Sequence, residues 1–385
     1  MTASTYKDAF EDYFLTGYWL SPMNLLKNPD YYKDNFNCIS LENELKPDSL
    51  LDKKGCIEKG DNDIQISFAN ADATLKFCEE NGIPLHGCVF VWYSQTPEWF
   101  FKEGFQSNAA YVSAEVMNQR LESFIKNTFE GLKKNYPNLK IDSYEICKEL
   151  FVNDGGGYRM PDINNSVANF WYKIYGSDEF VFNAYRYARE YAPEGTKLLL
   201  CDYNEYMPTK TDDIYELALK LKEENLIDSI GMEACLDISY PSVDAFETAL
   251  KKFISTGLDI QLTEFGVSSH SRSPLVYESY KTFLDICLKY KDNISAVLLH
   301  DIGVCGFESY ECPKFTDIIN NTKKPSGDAN GDEVFNVADV VVLQKWLLSN
   351  SDSDFSCWSE ADMNKDNKLN VFDLCIMKNQ LLGIS

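Results

Sequence analysis

PLHGCVFVW (Pro84–Trp92), SAEVMNQRLESFIKNTFEGLKKN (Ser113–Asn135) and KIDSYEIC (Lys140–Cys147) follow one another as apolar run, amphipathic stretch and apolar run. Short apolar runs bounded by polar turns predict buried strands, and the long periodic stretch between them predicts a helix. Similar runs lie on either side: FLTGYWL (14–20), NCISL (37–41), KLLLCDY (197–203), SIGMEAC (229–235), DIQLTEF (259–265) and ISAVLLH (294–300). TDDIYELALKLKEEN (211–225) is a further amphipathic segment. Eight strand–helix units predict a parallel sheet closed into a (β/α)8 barrel, an α/β fold, over residues 1–320. NNTKKPSG (320–327) is polar with Pro and Gly, which places a linker at 321–327 and a small all-α domain at 328–385.

The chain has 385 residues, of which 44% are hydrophobic, enough for one large domain and one small one. A net charge of -24 opposes nucleic acid and anionic membranes as partners. Aromatics make up 14% of residues, which suits stacking on sugars as well as core packing. The 12 cysteines include no C-x-x-C pair, so mostly reduced thiols are expected, with Cys305–Cys312 the one candidate pairing. Cys88, Cys147, Cys201 and Cys235 fall on the upper parts of predicted strands, as a soft-metal or disulfide cluster or as small core fillers. MTASTYKDAF at the N-terminus has no apolar core, and no run is long enough to span a membrane.

The tail carries two twelve-residue loops in register, DANGDEVFNVAD (Asp328–Asp339) and DMNKDNKLNVFD (Asp362–Asp373). Oxygen side chains recur at positions 1, 3, 5, 9 and 12, the spacing that wraps a calcium ion. The first set is Asp328, Asn330, Asp332, the Val334 carbonyl, Asn336 and Asp339. The second is Asp362, Asn364, Asp366, the Lys368 carbonyl, Asn370 and Asp373. Position 6, usually Gly, is Glu333 and Asn367, so the second loop fits better. Each loop runs into a helix (VVVLQKWLL, LCIMKNQLL), and no helix is evident before Asp328. A duplicated loop-plus-helix of this kind resembles a type I dockerin. That resemblance implies a cohesin module of a scaffolding protein as partner and two calcium ions. It places Val337, Ala338, Val371 and Phe372 at the cohesin contact unless they pack internally. It also implies a secreted protein of an extracellular cellulosome, with a signal peptide already removed.

In such a barrel the chemistry sits where strands end. The acids, amides and aromatics there are Glu42, Asn43 and Lys46 after strand two, Trp92 and Gln95 after strand three, and Glu149 after strand four. Asp202 and Asn204 follow strand five, and Glu264 ends strand seven. ENELKPD (42–48), VWYSQTPEWF (91–100), CDYNEY (201–206), IGMEACL (230–236) and LTEFG (262–266) together resemble glycoside hydrolase family 10, the endo-β-1,4-xylanases. The similarity spans nearly all of residues 5–320. It implies a retaining mechanism with Glu149 as general acid/base, Glu264 as nucleophile and no catalytic cofactor. The implied substrate is xylan or a related plant β-glycan, bound by a monomer. The implied sugar-binding set is Glu42, Asn43, Lys46, Trp92, Gln95, Lys148, Glu233 and His300.

Several positions depart from the family pattern. Cys88 and Tyr93 replace histidines after strand three, Lys148 replaces the asparagine before the acid, and Glu233 and Cys235 replace Q-x-H. His300 stands where a tryptophan is expected. Lys148 should favour the ionised form of Glu149, the wrong direction for a general acid, unless Glu145 or Glu233 absorbs its charge. Glu233 adds like charge near Glu264, and Cys235 is a weaker hydrogen-bond partner than imidazole. The alternative expectation is therefore a catalytically weak or inactive homologue that binds glycan in the old cleft.

Overall fold

The computed structural model describes residues 5–153, 156–161, 169–268, 275–300, 327–332, 334–348, 355, 357–364 and 368–383. The chain divides into two compact units, Met1–Thr316 and Asp317–Ser385.

Among the described residues the large unit has nine parallel strands: β1 (Leu15–Leu20), β2 (Cys38–Leu41), β3 (Leu85–Trp92), β4 (Ile141–Lys148), β5 (Lys197–Asp202), β6 (Ser229–Met232), β7 (Cys235–Asp237), β8 (Asp259–Ser268) and β9 (Ile294–Leu299). Eight close a ring: β6 pairs with β8, β8 with β9, and β9 with β1, while β7 is a short addition that pairs only with β8. The predicted barrel is therefore present. The runs read as strands because both faces are covered, so nearly every position is buried and apolar. One boundary differs from expectation. Glu264 does not end its strand, because Gly266–Ser268 continue β8 by pairing with β7.

The helix Ala114–Asn135 begins where Ser113 accepts a hydrogen bond from the Val116 N–H. Its inner face carries Phe124 and Phe129 onto the sheet, where Phe90 meets both at 5.4 Å and stacks on Tyr144 at 4.5 Å. Gly87 makes that stack possible, since a Cβ there would lie 2.2 Å from the Tyr144 ring.

The small unit holds the helices Val337–Leu347 and Val371–Leu381. Ala329, Val340, Leu343, Ala361, Leu374 and Met377 form their common core. A short helix, Trp358–Ala361, precedes the second loop, an element the sequence did not suggest. Asn336 and Asn370 cap the two long helices, and Asp339 and Asp373 answer as the reciprocal partners of capping boxes. Val337, Val371 and Phe372 are 67%, 58% and 66% exposed, so they do not pack internally. Among the described residues no helix is long and apolar enough to cross a membrane. Cys305, Cys312, Glu333, Asp366 and Asn367, and all of the linker but Gly327, lie outside the described residues.

Candidate active site

Four non-glycine residues at the mouth of the barrel have positive φ: Gln95 (42°), Glu149 (53°), Asn204 (51°) and Ala234 (50°). Each follows a barrel strand by a few residues. Such backbone is costly and concentrates where side chains must be aimed. Glu149 is held there by its N–H, which donates to the Cys201 carbonyl at 3.0 Å.

Lys148, the last residue of β4, organises the floor. It is 2% exposed, and its ammonium donates to Glu264 Oε1. Glu233 Oε1 lies 3.3 Å away and Glu145 Oε2 3.7 Å. Its Nζ sits 5.5 Å from the Trp19 ring and 5.7 Å from the Trp92 ring. Lys46 faces the same two rings at 5.6 and 5.2 Å. Asn43 Oδ1 accepts from both Lys46 Nζ and Gln95 Nε2, each at 3.2 Å. His300 Nδ1 is 3.3 Å from Glu264 Oε2, and its ring is 5.6 Å from that of Trp19. The structure thus gathers Asn43, Lys46, Trp92, Gln95, Lys148, Glu233, Glu264 and His300, with Glu149 beside them and Glu42 half-buried directly after β2.

Burial works to raise the pKa of Glu264, but the Lys148 charge and the His300 contact outweigh it and hold the carboxyl well below the usual range. Burial dominates at Glu149 and pushes it up, with Asp202 and Glu264 adding to the rise against Lys148. Lys148 does act to lower Glu149, as expected, but burial together with Asp202 and Glu264 outweighs it. Burial likewise drives Glu233 well up, opposed by Lys148. Lys148 itself stays charged: desolvation pulls its pKa down, but Glu145, Glu233 and Glu264 more than offset this. One carboxyl pKa held down and the other pushed up is the direction of division that nucleophile and general acid require.

Cys235 Sγ is 4.0 Å from Glu264 Oε2, a long contact, as expected of a thiol in place of an imidazole. Donor atoms of Glu233, Cys235 and Glu264 fall within 4.8 Å of one another. The Lys148 ammonium already supplies positive charge between the two carboxylates. The four-cysteine cluster is not formed as a disulfide or soft-metal site. All four are free, and burial pushes the thiols of Cys88, Cys147 and Cys201 well up, leaving neutral fillers of the barrel. Asp202 is turned to structure: fully buried, it pairs with Lys210 Nζ at 2.6 Å and accepts the Phe151 and Tyr203 N–H groups.

Residues 5–303 match Glycosyl hydrolase family 10. The chain belongs to that family. Residues 326–382 match the Dockerin type I domain. Among similar family 10 proteins, the bifunctional endo-1,4-beta-xylanase XylA of Ruminococcus flavefaciens is 51% identical over 77% of this chain and 31% of its own length. Endo-1,4-beta-xylanase Y of Acetivibrio thermocellus is 37% identical over 69% of this chain and 25% of its own. The chain thus spans a third or less of these two relatives. A family 10 structure from Clostridium thermocellum, endo-1,4-beta-D-xylanase 10B complexed with xylohexaose, superposes with a TM-score of 0.73 at 33% identity, covering 77% of this chain and 61% of that one.

Two residues near this site, Trp19 and His86, were not named from the sequence. Trp19 is the last residue but one of β1 and donates its indole N–H to the Thr263 carbonyl. The strand-end rule applied to FLTGYWL would have found it. His86 and Glu145 lie inside β3 and β4 and reach the site only through the register of the two strands.

The calcium loops of the dockerin suit a hard cation. Asp339 and Asp373 are 0% exposed, and no lysine or arginine pairs with them among the described residues. Their hydrogen bonds come from backbone N–H groups, those of Ala329, Asn330 and Asn336 for Asp339 and of Asn364 and Asn370 for Asp373. Asp328 and Asp362 are buried as well. Buried carboxyls placed so favour a cation, and an all-oxygen set suits a hard ion such as calcium. Type I dockerins in general bind it.

Proposed function

We propose that the barrel is a retaining β-glycosidase that hydrolyses xylan or a related plant β-glycan. Glu264 attacks the anomeric carbon, and the glycosyl–Glu264 bond forms as the glycosidic C–O bond breaks. Glu149 gives its proton to the departing oxygen, then takes one from the water that releases the sugar. Asn43, Lys46 and Gln95 form a polar cluster for sugar hydroxyls, with Glu42 beside it, and Trp19 and Trp92 offer ring faces. The observation that carries this is the opposite surroundings of the two carboxyls: Glu264 is bonded by Lys148 and faced by His300, which lower its pKa, while burial raises that of Glu149, and a groove for binding alone does not need this. Reducing-sugar release from xylan tests it. Wild type should turn over and Glu264→Ala should not. A folded wild type inert on all plant β-glycans would end the proposal.

In the tail, two calcium ions are assigned to the two loops, held by Asp328, Asn330, Asp332, the Val334 carbonyl, Asn336 and Asp339, and by Asp362, Asn364, Asp366, the Lys368 carbonyl, Asn370 and Asp373. The exposed Val337, Ala338, Val371 and Phe372 suit contact with a cohesin, which would fix a secreted, monomeric enzyme to an extracellular scaffold. Cohesin affinity that survives excess chelator would contradict this.

A further inference from the structure

We propose that His86 is a positioning residue of the active site, acting through Glu145 on Lys148 and thereby on Glu264. The four side chains form one chain of contacts from the barrel wall to the pocket. His86 faces Ser143 in the β3–β4 register, and its Nδ1 lies 2.8 Å from Ser143 Oγ. Its Nε2 lies 3.1 Å from Glu145 Oε1. Neither His86 nor Glu145 has any exposed side-chain surface. Glu145 Oε2 accepts no hydrogen bond, and the Lys148 ammonium is 3.7 Å from it. Lys148 in turn bonds Glu264. One tautomer fits both imidazole contacts, with Nε2–H donating to Glu145 and Nδ1 accepting from the Ser143 hydroxyl.

The chemistry follows from where the cation stands. An ammonium with Glu264 as its sole close anion would neutralise the nucleophile. Glu145, on the other side, takes up part of that charge, and it can do so only while His86 keeps it oriented and ionised. Burial acts to raise Glu145, and Lys148 and His86 together bring it down. Coulomb attraction at such separations in a dry pocket is strong enough for a small shift of Nζ to alter the reacting carboxylate. Removing His86 should therefore leave the Lys148 charge less balanced toward Glu264 and Glu149.

This inference rests on Glu264 as nucleophile, so the experiment separates the two claims. Hydrolysis of xylan is measured against pH for wild type, His86→Leu, His86→Gln, Glu145→Gln and Lys148→Met, with Glu264→Ala as the blank. The alkaline limb reports Glu149, which must carry its proton. Lys148, Asp202 and Glu264 act on it by charge, Tyr93 faces it, and Arg159 Nε bonds its backbone carbonyl. Lys148→Met removes a cation and should move that limb to higher pH. His86→Leu and Glu145→Gln unmask the cation and should move it to lower pH, with kcat down roughly tenfold or more and KM little changed. His86→Gln keeps a donor for Glu145 and should recover most of the rate and the original limb. An unmoved limb in both His86→Leu and Glu145→Gln would overturn the proposal, as would His86→Gln behaving like His86→Leu. If His86→Leu fails to fold, Glu145→Gln decides alone. If wild type releases no sugar, the hydrolase assignment fails. The 13C carboxyl titration of Glu149 in labelled protein then reads the same shifts without turnover.

Discussion

At the scale of single residues, the site works by setting carboxyls against one another around one buried ammonium. Glu264→Ala should abolish turnover on xylan by orders of magnitude. Glu149→Ala should be nearly as damaging on xylan, but much less so on an aryl glycoside whose phenolate leaves without a proton, and comparing kcat on the two substrates checks it. A second carboxyl, Glu205, is fully buried, with one oxygen accepting the Ala234 N–H, and burial lifts its pKa to about 8 from the ordinary 4.5. The folded state then holds a proton that the unfolded chain has released. Between the two pKa values stability should fall as pH rises, by at most about 1.4 kcal/mol per pH unit, and level off above the upper one. Glu205→Gln imitates the protonated acid, so its urea midpoint should match wild type near pH 5 and exceed it near pH 8.

At the scale of elements, the strands tolerate their polar cargo because close packing outside fixes them. Gly87 lets Tyr144 lie flat on Phe90, and Gly87→Ala would drive a methyl into that ring. We expect a loss of about 1–3 kcal/mol in denaturant unfolding, with kcat also reduced because His86 and Cys88 flank the displaced residue. The extension of β8 past Glu264 has a consequence as well. The proposed nucleophile, Glu264, inside a paired strand has less freedom than it would on a loop, which suits pre-organisation. In the tail, one residue serves two ends: Asp339 and Asp373 are both the last loop oxygens and the capping-box partners of their helices. Loss of the ion should therefore fray the very helices that carry Val337 and Phe372.

At the scale of the whole molecule, the two compact units predict two independent transitions. Calorimetry in excess chelator should abolish or sharply lower the transition of the small unit, since metal binding and folding are coupled there. The barrel transition and xylan hydrolysis should stay as they were. Loss of activity on chelation would show that the tail matters to the barrel.

The sequence by itself determined the barrel, the tandem loops and most of the rim. Strands buried on both faces and amphipathic helices write their periods into the chain, and ligand spacing in a loop is a local property. Strand ends are local too, which is why Glu42, Asn43, Lys46, Trp92, Gln95, Glu149 and Glu264 could be named from the chain. The directions in which the carboxyl pKa values move were decided only by tertiary structure. From its neighbour in the chain, Lys148 should have lowered Glu149, yet burial raises Glu149 while Lys148 turns to Glu145, Glu233 and Glu264. Likewise His86 looks like any core residue until β3 pairs with β4 and sets it against Glu145. Desolvation and Coulomb energy depend on distances between residues far apart in sequence, and those exist only once the sheet has closed.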